Sequence, residues 1–309
     1  MVLYGRSRGE AWLCKITRDS GRMRGIMNYQ WYPGHMTKAR RMMQENISLV
    51  DLVIELVDAR VPMSSRNPDI DELGTNKARI ILLNKADLAD PSINAGWMAF
   101  FKEKGFFALE INSRTGAGVR NIQSLVLEAC KEKIERDKRR GIKNRPIRAM
   151  VAGIPNVGKS TFINALAGKA CAKTGNKPGV TKGKQWIRLN KSLELLDTPG
   201  ILWPKFEDQM VGEKLALIGS INDEILHADE LAVTLLGYLK RKYPLLLMDR
   251  YPVADTEDPY RMLEEAALAR KCLGKGGEPD VMRAAGMIME EFRSGKIGRI
   301  TLEDPEEWK

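Results

Sequence analysis

The sequence predicts an α/β fold, in which a mostly parallel sheet carries helices on both faces, followed by an all-helical C-terminal domain. Short runs of branched apolar residues alternate with amphipathic stretches as far as Trp203, and this alternation is typical of strand–helix–strand units. From residue 207 onward the apolar residues recur with helical spacing, and strand-like runs almost disappear. The boundary between the two domains is therefore expected near Phe206.

Six segments are predicted as strands because they are short, apolar and rich in branched residues. They span residues 49–57, 79–83, 106–111, 148–152, 185–189 and 193–196. Apolar residues at three- and four-residue spacing predict helices. The clearest helices span residues 36–49, 118–136, 159–166, 223–240 and 279–293, and the first of them is basic.

Residues 1–27 differ from the rest of the chain because they hold six Arg and Lys side chains without a sustained apolar period. They lack the apolar core that a secretory signal needs. We expect a basic, poorly ordered extension ahead of a functional chain that begins near Met27. An Arg-rich mitochondrial targeting segment is the alternative, opposed by Glu10 and Asp19. The expected domains are residues 1–27, 28–206 and 207–309.

The composition is that of a globular protein, with 309 residues of which 43% are hydrophobic and 29% charged. No apolar run is long enough to span a bilayer, so no stable membrane association is expected. The formal net charge of +10 favours a polyanionic partner, although a solubilising surface charge would have the same composition.

Cysteine and histidine are sparse. The four cysteines are far apart, which favours free thiols in a reducing cytoplasm over disulfides or a metal site. His35 and His227 are the only two histidines, too few to favour a structural zinc site. The expected location is cytoplasmic.

Residues 153–160, Gly-Ile-Pro-Asn-Val-Gly-Lys-Ser, match the phosphate-binding loop pattern between a predicted strand and a predicted helix. Glycines let several backbone N–H groups point at one phosphate, and the helix N-terminus favours an anion. Lys159 is expected on the β- and γ-phosphates and Ser160 on Mg²⁺. The expected nucleotide contacts from this loop are Asn156, Val157, Gly158, Lys159, Ser160 and Thr161. A plain glycine turn is the alternative.

Two further segments suit a phosphate site. Asp197 ends an apolar strand and begins Asp-Thr-Pro-Gly, so its carboxylate can hold Mg²⁺ through water, while the Gly200 N–H can reach a γ-phosphate. Thr181 lies in a glycine-rich stretch between helix and strand, where its hydroxyl can complete the Mg²⁺ shell. Each segment alone is also compatible with an ordinary turn or loop.

Two other strand ends suit a guanine base. The Asp87 carboxylate, in Asn-Lys-Ala-Asp at residues 84–87, can accept hydrogen bonds from two guanine donors that adenine lacks. Asn84 can tie loops together, and the Lys85 stem can cover the base. Ser113 and Arg114 follow the next strand, where a backbone N–H can meet the guanine oxygen. Both patterns also occur in surface turns.

Together these motifs resemble the nucleotide-binding set of P-loop GTPases, but the base motifs precede the phosphate motifs. The chain therefore resembles a circularly permuted GTPase, and the site can still assemble because its loops leave the carboxyl ends of parallel strands. Segments at residues 31–36 (Trp-Tyr-Pro-Gly-His-Met), 58–62 and 298–303 narrow the resemblance to the ribosome biogenesis GTPase A (YlqF) family. The similarity runs from about residue 29 to the C-terminus.

The resemblance implies a GTP-hydrolysing switch in late assembly of the large ribosomal subunit, with precursor particles and their rRNA as partners and no DNA. Many GTPases place a water-orienting glutamine where this chain has Ile201. His35 is then the family-implied catalytic group. Asn156 is the second, since Pro-Asn at this point of the loop implies a bound K⁺ beside GTP or GDP and Mg²⁺. A structural or RNA-facing role for His35 stays open.

Three other functions remain as alternatives. An ATPase or nucleotide kinase is opposed by the guanine-type motif at residues 84–87. A membrane-linked signalling GTPase is opposed by the lack of a lipidation motif at the C-terminus. A non-catalytic GTP-binding RNA scaffold is favoured only by Ile201. The helical C-terminal domain is the expected RNA contact. Its basic clusters are Lys240, Arg241 and Lys242, and Arg293, Lys296 and Arg299.

Overall fold

The structure is a computed structural model, and it describes residues 34–309 apart from 143–144, 172–184, 203–207, 222–226, 254–255, 257 and 309. Residues 34–36 and 185 are described by their backbone alone. Four two-residue strands are also described, and they pair antiparallel as Val2–Leu3 with Cys14–Lys15 and Arg6–Ser7 with Glu10–Ala11. Thr181, the side chain of His35 and most of the expected extension lie outside the described residues.

A six-stranded sheet forms the centre of the first domain, in the order β3-β2-β1-β4-β6-β5. The strands are β1 (Leu52–Asp58), β2 (Ala78–Asn84), β3 (Phe107–Glu110), β4 (Ile147–Gly153), β5 (Gln185–Arg188) and β6 (Leu193–Asp197). All neighbours run parallel except β5, which is antiparallel to β6. The predicted mostly parallel sheet and its six strands are confirmed.

Alternate side chains of β1 enter cores on opposite faces of the sheet, as the two-residue period of a strand requires. Leu52, Ile54 and Leu56 belong to one core, whereas Val53 and Val57 belong to clusters on the other face. The first face carries α4 (Ile122–Ala129) and α6 (Lys159–Ala167). The second carries α1 (Gly34–Asn46), α2 (Pro68–Leu73) and α3 (Pro91–Glu103). Helices therefore cover both faces, as predicted.

Three helical features differ from the prediction. Helices α2 and α3 were not expected, although each begins with a capping side chain and a proline, as helix starts often do. Asn67 accepts from the Asp69 N–H at 2.9 Å, and Asp90 accepts from the Ser92 N–H at 2.9 Å. The predicted helix over residues 118–136 is divided at the buried Cys130 between α4 and α5 (Lys131–Arg139).

The C-terminal domain is helical, as predicted. Its helices are α7 (Gln209–Leu217), α8 (Ala228–Lys242), α9 (Pro244–Arg250), α10 (Pro259–Ala269) and α11 (Val281–Ser294). Leu235, Ile288 and Phe292 extend the core of the first sheet face into this domain, so the two domains share one apolar interior. Among the helices described, none is long and apolar enough to cross a membrane.

Candidate functional site

The loop of residues 153–160 connects β4 to α6 and bends through backbone conformations that favour glycine. Gly158 has a φ of 99°, and a Cβ there would lie 2.5 Å from the Asn84 amide nitrogen. Glycine is therefore needed both for the turn and for the close approach of a neighbouring loop. The backbone of this loop leads directly into the N-terminus of α6, which favours an anion.

Lys159 lies inside this loop, with only 7% of its surface exposed. Its ammonium group donates to the carbonyl oxygens of Gly153 at 3.0 Å and Ile154 at 2.8 Å. Burial lowers the pKa of Lys159 to about 8, and the nearby Asp197 carboxylate opposes that shift. An anion bound in the loop would stabilise the charged form of this lysine.

The end of β6 meets the same loop, because β6 lies beside β4 in the sheet. Asp197 is buried there, and a Cβ on Gly200 would come within 2.9 Å of the Lys159 ammonium nitrogen. Ser160 stands next to Lys159 at the start of α6. A serine hydroxyl and an aspartate carboxylate are oxygen ligands of the kind Mg²⁺ takes, and Gly200 leaves room beside Lys159, so these residues fit a magnesium–phosphate group.

Asn84 joins three loops of the site. Its amide nitrogen donates to the Val157 carbonyl at 2.7 Å, and its amide oxygen accepts from the Ser113 N–H at 3.0 Å and the Ser113 hydroxyl at 2.8 Å. The carboxyl ends of β4 and β2 and the loop after β3 are thereby held together. These three contacts are compatible with the loop-tying role expected of Asn84 from the sequence.

Of the remaining residues of this loop, Lys85 and Ala86 are partly buried and only Asp87 is exposed. Asp87 lies at the loop tip, two residues after Lys85, whose backbone has a left-handed φ of 60°. The Lys85 ammonium nitrogen lies 2.9 Å from the Asp58 carboxylate. Burial alone would raise the pKa of Asp58, but Arg60 and Lys85 hold it below its usual value. Asp58 therefore anchors the loop from the neighbouring strand.

Asn112 organises the loop that contains Ser113 and Arg114. Its side-chain oxygen accepts from the N–H groups of Arg114 at 2.9 Å and Thr115 at 3.1 Å. This turn directs the backbone around Ser113 towards Asn84. Asn112 is not among the residues predicted from the sequence, although an asparagine at the first position of such a turn is a recognisable local pattern.

Asn156 contacts the helical domain. Its amide nitrogen donates to the Gly219 carbonyl at 2.8 Å, and the Ser220 hydroxyl donates to the Pro155 carbonyl at 3.0 Å. The phosphate-loop sequence is thus fastened to the segment that follows α7. Nothing local in the sequence marks Ser220 as a neighbour of this loop.

Ile201 is a core residue with 1% of its surface exposed. It packs with Leu196 of β6 and with Met43 of α1, and its carbonyl accepts from the Asn67 amide at 3.3 Å. The side chain therefore points into the protein and cannot orient a water molecule at the phosphate loop. The same cluster connects the segment after Gly200 to α1, the helix whose second residue is His35.

The two basic clusters of the helical domain are only partly surface features. Arg293 donates to the carbonyls of Ala216 at 2.7 Å and Leu217 at 2.9 Å, and Lys240 donates to the Thr256 carbonyl at 2.6 Å. Arg299 donates to two carbonyls of the first domain. The exposed members of the clusters are Arg241, Lys242, Lys296 and Arg299, and of these Arg299 makes the two carbonyl contacts just described.

Comparison with known proteins identifies GTPases as the relatives of this chain. Residues 148–247 match the family described as 50S ribosome-binding GTPase. The chain is 50% identical to ribosome biogenesis GTPase A of Bacillus cereus over 283 residues, which is 91% of this chain and 96% of the relative. It is 33% identical to ribosome biogenesis GTPase A of Thermotoga maritima over 277 residues, which is 90% of this chain and 95% of the relative.

The fold agrees with a solved structure. The crystal structure of GNP-bound YlqF from Thermotoga maritima matches with a TM-score of 0.60 and 30% identity, over 87% of this chain and 99% of that one. The chain therefore belongs to the ribosome biogenesis GTPase A family, and it is a GTP hydrolase of ribosome biogenesis built on a circularly permuted P-loop domain.

Proposed function

We propose that this GTPase acts in the cytoplasm on late precursors of the large (50S) ribosomal subunit, binding their rRNA in its GTP form and leaving after hydrolysis to GDP and phosphate. The observation that carries this proposal is the pair of hydrogen bonds from Asn156 and Ser220, which fasten the phosphate loop to the helical domain. A change at the bound phosphates can therefore be transmitted through these two hydrogen bonds to the helical domain, which carries exposed basic side chains.

In this proposal the phosphate end of the site holds the triphosphate. Lys159 neutralises the charge of the β- and γ-phosphates, and the backbone N–H groups from Asn156 to Thr161 donate hydrogen bonds to the phosphates. The Gly200 N–H donates to the γ-phosphate and so distinguishes GTP from GDP. Ser160 and Thr181 would hold Mg²⁺ directly, and Asp197 would hold it through water. Bound Mg²⁺ supplies positive charge next to the transferred phosphoryl group.

The base end selects guanine. Asp87 accepts from the two guanine donors, the Lys85 stem covers one face of the base, and the backbone at Ser113 and Arg114 meets the guanine oxygen. The exposure of Asp87 and the three hydrogen bonds of Asn84 support this arrangement.

K⁺ is proposed as an additional cation beside the phosphates, held by the amide oxygen of Asn156. The hydrogen bond from its amide nitrogen to the Gly219 carbonyl supports this role, because it commits the nitrogen to the helical domain and makes the oxygen the end of the amide that could take a cation. The cation would add positive charge where no arginine is supplied.

A second candidate function is a weakly catalytic GTP-binding RNA scaffold. The burial of Ile201 favours it, because the chain then has no glutamine-like group at the usual place. Turnover measured with and without ribosomal precursors separates the two candidates, since a scaffold would not be stimulated.

The GTP-loaded protein is expected to bind large-subunit precursors about 5–150-fold more tightly than the GDP-loaded protein, the usual range for coupling between two sites. Binding should also fall steeply with salt, because contacts to RNA phosphates release counterions. Co-sedimentation of precursors with the protein, loaded with a non-hydrolysable GTP analogue or with GDP at two salt concentrations, measures both effects. If the affinity for precursors depends neither on the bound nucleotide nor on the salt concentration, the assembly role is contradicted.

Lys159→Ala is expected to weaken GTP binding by about 10–100-fold, because one charge-assisted contact to the phosphates is lost. The pKa of about 8 in the free protein adds a second effect. Phosphates raise that pKa on binding, so the wild type takes up a proton near pH 8, and its affinity falls as the pH rises above 8. Lys159→Ala should show no such uptake.

Calorimetry near pH 8, in two buffers with different heats of ionisation, measures the proton uptake directly. Lys169→Ala is the matched control, because it removes an exposed lysine just after α6. Equal GTP affinity in wild type and Lys159→Ala would remove Lys159 from the site.

A further inference from the structure

A segment near the C-terminus lies across the loop that carries Asp87. We call residues 298–303, Gly-Arg-Ile-Thr-Leu-Glu, the C-terminal strap. The Ile300 N–H donates to the Leu88 carbonyl at 2.9 Å, and the Thr301 hydroxyl accepts from the Asp90 N–H at 2.9 Å. The strap is therefore hydrogen-bonded along the chain that directly follows residues 84–87.

Arg299 makes the most direct contact with that loop. Its Nε donates to the Ala89 carbonyl at 2.9 Å, and its Nη2 donates to the Ala86 carbonyl at 2.9 Å. Ala86 lies between Lys85 and Asp87. One rigid guanidinium group therefore spans the turn and fixes the backbone immediately before Asp87.

A second route connects the strap to the same loop through β1. The Leu302 N–H donates to the Arg60 carbonyl at 2.7 Å. The Arg60 guanidinium forms two 2.8 Å hydrogen bonds with the Asp58 carboxylate, which also pairs with Lys85. The strap thus supports the loop of residues 84–87 in two ways, through the direct contact of Arg299 with Ala86 and through the chain of contacts from Leu302 to Lys85.

The strap also contacts the helical domain. The Tyr238 hydroxyl of α8 donates to the Thr301 carbonyl at 3.0 Å, and the Tyr243 hydroxyl accepts from the Thr301 N–H at 3.1 Å. At its far end the buried Glu303 accepts from the N–H groups of Met63 at 2.7 Å and Ser64 at 3.1 Å. The loop is therefore held by a segment that is itself anchored on both domains.

We infer that Arg299 is a positioning residue for guanine recognition, and that the strap makes base selection depend on docking of the helical domain. Loops are generally more mobile than the strands they leave, and Asp87 must lie within hydrogen-bond distance of both guanine donors to accept from the two of them. The two carbonyl contacts of Arg299 supply that constraint. The inference rests on the proposed role of Asp87.

The test compares GTP with inosine triphosphate, which lacks the 2-amino group of guanine. Arg299→Ala is expected to lower the ratio of the two affinities by about tenfold, because a misaligned carboxylate loses the second hydrogen bond while a ligand without that donor loses little. Lys296→Ala, which removes an exposed lysine three residues earlier, should leave the ratio unchanged. Arg299→Lys should give an intermediate ratio, because one ammonium group can reach only one carbonyl well.

General loosening of the fold would weaken both nucleotides equally, so an unchanged ratio in Arg299→Ala overturns the inference, whether or not both affinities fall. Asp87→Asn is measured alongside. If Asp87→Asn lowers the ratio and Arg299→Ala does not, the role of Arg299 alone is wrong. If neither variant lowers the ratio, the guanine-reading role of Asp87 fails and the inference fails with it.

Discussion

Asp87→Asn should weaken GTP binding by about 10²–10³-fold and shift preference towards xanthosine triphosphate. The carboxylate accepts from two guanine donors, whereas an asparagine amide can accept from one and places a donor against the other, so one hydrogen bond is lost and the remaining one is no longer charge-assisted. Xanthine carries an oxygen in place of the 2-amino group, and the asparagine NH₂ can donate to it. Asp87 is exposed at its loop tip, so the substitution should leave the fold intact.

Competition of GTP, xanthosine triphosphate and ATP for a fluorescent guanine nucleotide measures this change. Glu103→Gln is the control, because it removes an exposed carboxylate at the end of α3 without touching the loop. If the wild type binds ATP as well as GTP, Asp87 does not read the base, and the nucleotide-selecting residues must be sought elsewhere.

His35→Ala should leave GTP binding nearly intact and reduce particle-stimulated hydrolysis by about 10²–10⁴-fold, the usual contribution of a positioned acid–base group. Ile201 is buried and cannot orient water, so another group must do so. His35 can accept or donate a hydrogen bond near neutral pH. It is the second residue of α1, and Met43 of that helix packs in the same cluster as Ile201. A push on α1 by RNA would thus be transmitted to the segment after Gly200.

Single-turnover hydrolysis at saturating large-subunit precursor tests this role, because saturation removes any effect on particle binding. Thr37→Ala is the matched control, since Thr37 is an exposed residue of the same helix. A wild-type rate in His35→Ala would leave His35 as a structural or RNA-contacting residue. The same assay in potassium and in sodium then shows whether a cation held by Asn156 carries the catalysis, because only that mechanism requires potassium.

The motifs and most elements followed from the sequence because their signals are local. Branched apolar runs predicted all six strands, and residues 153–160 were assigned between a strand and a helix because only nearby spacing is needed. Placing residues 84–87 and 153–160 in one site needed only the rule that parallel strands present their carboxyl ends at one edge of the sheet. Helices α2 and α3 were not predicted, although each begins with a local signal, a capping side chain followed by a proline.

Only the tertiary structure decided which side chains meet across the chain. Arg299 was grouped by sequence with RNA-facing arginines, yet it bonds to Ala86, a residue 213 positions away. Arg293 donates a hydrogen bond to a carbonyl of α7, and Asn156 donates one to the Gly219 carbonyl. Periodicity and motifs carry information only about a residue and its neighbours in the sequence. Contacts of this kind depend on how the helical domain folds back on the sheet, and that path is set by the shared apolar core of the two domains.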